Sequence, residues 1–156
     1  VNGALKALDV PIGALLTGGR AAGVFGPGQH GTTFGGGPLA MRAGIETLAI
    51  IESEGLMANA VAQGDRIRAG LKRELAGVAG VVEIRGMGLM IGVELDRPCG
   101  DLVKQALAAG LLINVTQDKV IRMLPPLILS AAEADLIVDR LAPVIRAFLV
   151  PAARAA

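Results

Sequence analysis

A glycine-rich loop over residues 28–37 carries two neighbouring hydroxyl groups, those of Thr32 and Thr33, and ends at Pro38. Proline is favoured in the first turn of a helix, so the loop leads directly into a helix N-terminus. Exposed backbone amides, hydroxyl donors and a helix N-terminus together suit a phosphate group. The loop is therefore a candidate phosphate-binding segment, although a glycine-rich stretch before a helix is also typical of a plain connection.

Arg122 is the second candidate, because apolar residues surround it and Pro125-Pro126 follows it closely. In that setting we expect a buried guanidinium, which needs an anion to offset its desolvation. The planar guanidinium matches a carboxylate, so the sequence predicts a carboxylate site here. An outward-pointing strand residue or an internal salt bridge is the alternative.

The other residues with chemical potential predict no metal or dinucleotide site. His30 is the only histidine and has no set of neighbouring ligands, so we interpret it as structural. Cys99 is the only cysteine, which excludes an internal disulfide or a multi-cysteine metal site. Residues 86–92 approach a dinucleotide fingerprint, but the last gap is too long and the segment leads into a strand rather than a helix.

The composition argues against two further function classes. The 156 residues carry a formal net charge of +1 and lack Tyr and Trp, so neither charge nor aromatic stacking favours nucleic-acid binding. The longest uncharged run, residues 21–41, contains too many glycines and prolines for a membrane helix. Because the N-terminus also lacks a secretory signal, we expect a cytoplasmic protein without membrane contact.

Apolar periodicity predicts an α/β fold. Helices are predicted over residues 38–54, 56–75 and 101–109, and a fourth runs from the Ser130–Glu133 capping box to residue 148. Strands are predicted over residues 12–16, 111–115 and 120–123. A hairpin is predicted over residues 81–95, with its turn at residues 86–88. Met57 and Val61 belong to the predicted apolar face of the second helix. Pro143 predicts a kink or a break of the last helix near Leu141.

Three segments of the chain occur in the order found in one enzyme family. They are Pro11-Ile12-Gly13-Ala14, Gln29-His30-Gly31-Thr32-Thr33-Phe34-Gly35-Gly36-Gly37-Pro38-Leu39-Ala40 and Val120-Ile121-Arg122-Met123-Leu124-Pro125-Pro126. Together they resemble the C-terminal part of a class III, fold-type I aminotransferase of the acetylornithine type. That family uses pyridoxal 5'-phosphate (PLP), and the resemblance covers about residues 10–149.

The resemblance implies a role for four residues. Lys6 is the candidate for the catalytic lysine that bonds covalently to PLP and moves a proton. Thr33 matches a threonine that binds the cofactor phosphate of the partner subunit in a homodimer, and Thr32 matches a residue near the substrate. Arg122 matches the arginine that binds the substrate carboxylate. Lys6 lies two residues closer to Pro11 than the family pattern has it, so an ordinary surface lysine is the alternative.

The resemblance also implies a domain organisation and a reaction. Residues 1–55 match the end of the large PLP-binding domain with its connecting helix, residues 56–150 match the C-terminal small α/β (α+β) domain, and residues 151–156 are expected to form a flexible tail. The expected reaction moves an ω-amino group from an acetylornithine-like amino acid to the 2-oxo acid 2-oxoglutarate, as in arginine biosynthesis. Other parts of the family's active site have no counterpart here, so we expect the isolated chain to be inactive. The alternatives are a non-catalytic dimerisation module and a protein that binds a phosphorylated small molecule without chemistry.

Overall fold

The computed structural model describes residues 12–13, 18–21, 23–29, 31–33 and 35–150. Contacts divide the chain into two compact units, residues 1–54 and 55–156. The first unit contains a short 3₁₀ turn at Gly19–Ala21 and helix α1 at Pro38–Ser53. The second contains, in chain order, α2 (Leu56–Glu74), β1 (Val81–Met87), β2 (Met90–Leu95), α3 (Leu102–Ala108), β3 (Asn114–Thr116), β4 (Val120–Met123) and α4 (Ala131–Leu149).

The four strands form one antiparallel sheet in the order β1-β2-β4-β3. Successive side chains of a strand point to opposite faces, so the sheet has two faces. We call one of them the covered face; its central residues Ile91, Val93, Ile121 and Met123 are all buried. The register places Ile91 opposite Met123 and Val93 opposite Ile121, which brings these four side chains into one layer.

We call the other side of the sheet the open face. It carries Met87, Arg85, Met90, Gly92 and Arg122, which alternate with the buried positions along their strands. Met87 and Met90 are 87% and 59% exposed. Val120 also belongs to this side and is buried. The open face is thus a mixture of apolar, charged and glycine positions.

Helices α2, α3 and α4 supply the other half of the core. Their fully buried side chains include Ile67, Leu71, Leu102, Leu141 and Ile145, which form one cluster with the covered face. Burial of each such side chain contributes about 1.5–3 kcal/mol. The predicted α/β class is therefore confirmed, with the helices on one side of the sheet.

Helix α4 begins with the predicted capping box. The amide of Glu133 donates to Ser130 Oγ at 3.3 Å, and the amide of Ser130 donates to Glu133 Oε2 at 2.8 Å. A break near Leu141, one of the two predicted outcomes, is wrong, because α4 continues through Pro143 as one helix. Pro143 and Asp139 are both exposed, so water can reach the Asp139 carbonyl that the proline leaves without a donor.

Two other details differ from the sequence-based prediction. Met57 and Val61 are 69% and 56% exposed although they share helical spacing with the buried residues of α2. The third strand begins at Asn114 rather than at Leu111. The amide of Leu111 instead donates to the Ala106 carbonyl at 2.8 Å, so this residue completes the C-terminal cap of α3.

The hairpin and the remaining helices agree with the prediction, and the hairpin turns one residue later than expected, after Met87. Most of the strand predicted at residues 12–16 lies outside the described residues. Across the described part of the chain, no helix combines the length and the apolar character that a membrane span requires.

Candidate functional site

Thr32 and Thr33 both lie in an exposed loop of the first unit. The amide of Gly35 donates a hydrogen bond of 3.1 Å to Thr32 Oγ1 and closes a local turn. A Cβ at Gly35 would overlap the Thr32 methyl group, so a side chain at position 35 would force Thr32 to move. The Thr33 hydroxyl has no hydrogen-bond partner within the described ranges, and it is therefore available as a donor.

The end of this loop leaves further donors available. Gly37 precedes Pro38 and provides no side-chain cap for α1. The first amides of a helix have no partner within the helix, so those of Leu39 and Ala40 point towards the loop end without an intrahelical acceptor. A free hydroxyl and free helix amides fit the phosphate of a cofactor. Lys6 and His30 lie outside the described residues.

Arg122 lies on β4 in the second unit, and its exposure shows that the predicted burial is wrong. Its neighbours Ile121 and Met123 occupy the covered face, so the alternation of the strand turns Arg122 to the open face. Within the described part of the chain the guanidinium makes no hydrogen bond and no ion pair. Its charge is therefore available to a ligand.

The register places Arg122 in a row that crosses all four strands of the open face. The row runs Arg85, Gly92, Arg122, Asn114 from β1 to β3. At one end Arg85 donates to Glu83 Oε2 at 2.6 Å and to Glu94. The hydrogen bond that Arg85 donates to Glu94, and next the one to Glu83, raise the pKa of Arg85 above its ordinary value.

The two arginines of the row thus differ in how their charges are compensated. Arg85 is compensated by two carboxylates, whereas Arg122 has only the neutral Gly92 and Asn114 as direct cross-strand neighbours. A free guanidinium of this kind binds a carboxylate through two parallel hydrogen bonds. The arrangement can therefore hold and orient one carboxylate of a small molecule.

A groove of about 530 Å³ lies between α2 and α4 in the second unit. Arg66 crosses it and donates two hydrogen bonds of 2.6 Å to Asp135. This pairing lowers the pKa of Asp135. Both side chains are about half exposed, and surface pairs of this kind contribute little stability, so we interpret the pair as a tie between two helices.

Sequence reasoning treated Gly92 as part of a structural hairpin and gave it no separate role. A glycine inside a strand often marks a close approach of a ligand or of another backbone. The searched ranges contain no group of three His, Cys, Asp or Glu residues that could hold a metal ion.

Comparisons with known proteins agree with the resemblance. The model of the family "Aminotransferase class-III" matches residues 5–145. Acetylornithine aminotransferase 1 of Bordetella bronchiseptica is 62% identical over 140 residues, which are 90% of this chain and 36% of that protein. Acetylornithine aminotransferase of Nitrosomonas europaea is 51% identical over the same shares of the two chains.

Solved structures give the same result. Ornithine aminotransferase of Toxoplasma gondii matches with a TM-score of 0.76 and 36% identity, over 82% of this chain and 31% of that one. Acetylornithine aminotransferase of Elizabethkingia anophelis matches with a TM-score of 0.71 and 28% identity, over 78% of this chain and 33% of that one. The chain therefore spans about a third of the length of these relatives.

Proposed function

The chain belongs to the class III aminotransferases, and from this premise we propose that it is the C-terminal part of a PLP-dependent transaminase. The proposed reaction transfers the ω-amino group of an acetylornithine-like donor to 2-oxoglutarate. The observation that carries the proposal is Arg122, an arginine on the open face of the sheet that has no partner among the described residues, in a chain 62% identical over 140 residues to an acetylornithine aminotransferase.

Arg122 would bind the carboxylate that amino and 2-oxo acids share. Two hydrogen bonds from a guanidinium to a carboxylate fix both the position and the orientation of the bound acid. A hydrogen bond to a charged group contributes about 1.5–3 kcal/mol, which is enough to favour substrates that carry this group. Both the donor and the acceptor of the proposed reaction carry such a carboxylate.

Thr33 would bind the phosphate of PLP through its hydroxyl, in the active site of a partner subunit. Its exposure and its free hydroxyl support this role. Thr32 would lie near the substrate, with its oxygen already engaged by the amide of Gly35. A homodimer and a cytoplasmic location are parts of the same proposal, as is the assignment of the first unit to the end of a cofactor-binding domain.

PLP, when bound, supplies the electron-withdrawing ring that lets an amino group leave one carbon skeleton and join another. The structure of the Toxoplasma gondii enzyme is described with PLP at its active site. We propose Lys6 as the residue that bonds to the cofactor and carries the proton, because it lies five residues before Pro11-Ile12-Gly13-Ala14, close to the place where the family has its catalytic lysine.

The test of this proposal is site-specific labelling of Lys6. The purified chain is mixed with PLP, its visible absorbance is recorded, and the mixture is reduced with borohydride before peptide mass analysis. We expect saturable modification of Lys6 and loss of the absorbance band in the Lys6→Arg variant, with the band retained in Lys104→Arg. Modification spread over Lys72, Lys104 and Lys119 would contradict the assignment.

A non-catalytic dimerisation module remains a second candidate, and one observation favours it. Helix α1 has no buried residue, and Met41, Ile45 and Leu48, which lie on one side of the helix, are 40%, 62% and 51% exposed. An apolar helix face of this size is typical of a surface that another protein segment covers. A stable dimer without any modification of Lys6 would support this second function.

A further inference from the structure

Gly92 lies in the middle of the open face, and none of the usual structural reasons for glycine applies there. Its φ lies outside the left-handed region. The register is regular on both sides of it, with Arg85 opposite on β1 and Arg122 opposite on β4, so it is not part of a bulge. A Cβ would lie 3.4 Å from Val120 Cγ1 and 3.9 Å from Arg85 Cγ, which are ordinary contacts. The fold of the second unit therefore tolerates a methyl group at this position.

Other glycines of the same unit show the opposite behaviour. A Cβ at Gly64 would overlap the Gly88 carbonyl oxygen, and a Cβ at Gly86 would overlap the Met90 carbonyl oxygen. Packing therefore explains those two residues. Glycine inside a strand weakens the strand, and at Gly92 no close contact within the described residues requires this weakness. A molecule that approaches the open face would explain it.

The position of Gly92 indicates which molecule approaches. Directly opposite partners in an antiparallel sheet have Cα atoms about 4.5–5.5 Å apart, so the space above Gly92 adjoins Arg122. Glu94 lies two residues further along β2 and would repel an anion. Arg85 hydrogen-bonds to Glu94 and compensates that charge. The space above Gly92 therefore suits an anionic group.

We propose that Gly92 is a specificity-determining position, because its missing side chain leaves the space that the substrate carboxylate occupies when Arg122 binds it. The inference rests on the proposed function of Arg122 and adds Gly92 as a second residue that borders the carboxylate site. A side chain at position 92 would exclude the carboxylate from the guanidinium without disturbing the fold. The site accordingly accepts an unbranched carboxylate such as one end of a 2-oxo dicarboxylic acid.

The test combines a binding and a stability measurement on the full chain. The Arg122 Nε–Hε resonance is followed by NMR while 2-oxoglutarate is added to the parent protein, to Gly92→Ala and to Gly92→Val. We expect the dissociation constant to rise at least about tenfold in Gly92→Val and less in Gly92→Ala, because valine fills more of the space. We expect Gly92→Ala to melt about 2–4 °C higher than the parent.

A matched control is Gly100→Ala, because nothing lies within 4 Å of a Cβ there and the φ of Gly100 lies outside the left-handed region. This variant should bind 2-oxoglutarate like the parent. The Arg122→Gln variant separates the two claims. If Arg122→Gln loses binding while Gly92→Val keeps it, the inference about Gly92 is overturned and the role of Arg122 stands. If 2-oxoglutarate does not shift the Arg122 resonance of the parent, or if Arg122→Gln binds 2-oxoglutarate like the parent, the role of Arg122 and the inference about Gly92 are both overturned. A Gly92→Ala variant that melts well below the parent would also overturn the inference, because glycine would then serve the fold.

Discussion

The covered and open faces of the sheet place residues of similar type in opposite environments. Met123 on the covered face is 4% exposed, whereas Met90 on the open face is 59% exposed. Ile121 is fully buried, and the next residue, Arg122, is exposed and unpaired within the described ranges. The covered face consists of apolar side chains that pack against the helices.

Under the proposed function, this difference separates stability from ligand binding. The core uses the covered face, so residues such as Gly92 and Arg122 on the open face are free of packing demands. A strand of four residues, β4, contributes to both faces by alternation alone. Substitutions on the covered face should therefore change stability, and those on the open face should change binding.

The pair Ile121→Ala and Arg122→Gln provides the sharpest test of this separation. Truncation of a fully buried isoleucine removes apolar contacts and leaves a cavity, so we expect a loss of about 2–5 kcal/mol in the free energy of unfolding. Arg122→Gln should change it by less than about 0.5 kcal/mol, since the guanidinium has no partner to lose within the described chain. Urea denaturation measures the free energy of unfolding of both variants. Equal losses in the two variants would contradict the separation between the covered and open faces.

Gly64→Ala tests the packing of α2 against the sheet. The added methyl group would overlap the Gly88 carbonyl oxygen, and the backbone must move to relieve this contact. Overpacking of this kind should lower the free energy of unfolding by about 1–3 kcal/mol. Thermal unfolding of Gly64→Ala beside Gly100→Ala measures the effect. Similar melting temperatures for the two variants would show that the close contact between Gly64 and Gly88 does not limit the packing of α2.

Asn59 should anchor the loop that follows β4. Its Nδ2 donates to the carbonyls of Leu127 and Leu129 at 2.8 and 2.9 Å. Asn59→Ala leaves both carbonyls without this donor, so we expect a loss of about 1–2 kcal/mol in unfolding experiments. The control is Asn114→Ala on the open face, where the side chain has no partner among the described residues. An Asn59→Ala variant as stable as Asn114→Ala would contradict the anchor.

The smallest predicted effect is a pH dependence at the start of α4. Hydrogen bonds from Ser130 hold the pKa of Glu133 below its ordinary value of 4.5. A carboxyl with a lowered folded pKa stabilises the protein above its unfolded pKa, and that contribution is lost as the pH falls through the folded pKa.

Melting temperatures of the parent and of Glu133→Gln between about pH 6 and pH 3 measure this contribution. Glutamine can still serve in a capping box but does not ionise, so the variant should lose less stability on acidification than the parent. Identical pH profiles would show that the carboxylate of Glu133 contributes nothing.

Local sequence patterns predicted most of the second unit. The capping box at Ser130, the hairpin and the helical periodicity of α2 depend on neighbouring residues, and the structure confirms all three. Burial was predicted less well, because it depends on which distant element covers a given face. Met57 and Val61 follow helical spacing but are not covered by another element in the structure.

The candidate site shows the same limit. The apolar neighbours of Arg122 suggested burial, but in a strand those neighbours occupy the other face, and only the register shows Gly92 and Asn114 beside it. Pro143 was predicted to kink or break α4, but the helix continues through it, and its exposed position lets water replace the lost donor. Residue types thus predicted a carboxylate site at Arg122, whereas strand pairing was needed to show which residues lie beside it.

The most direct test of the central claim compares methionine methyl groups on the two faces while 2-oxoglutarate is added to the protein. In NMR spectra of methyl-labelled protein, we expect the Arg122 Nε–Hε resonance and the Met90 methyl on the open face to shift in a saturable way. The Met123 methyl on the covered face should stay unchanged. A shift of Met123 without a shift of Arg122 and Met90, or no saturable shift at all, would contradict the assignment of substrate binding to the open face.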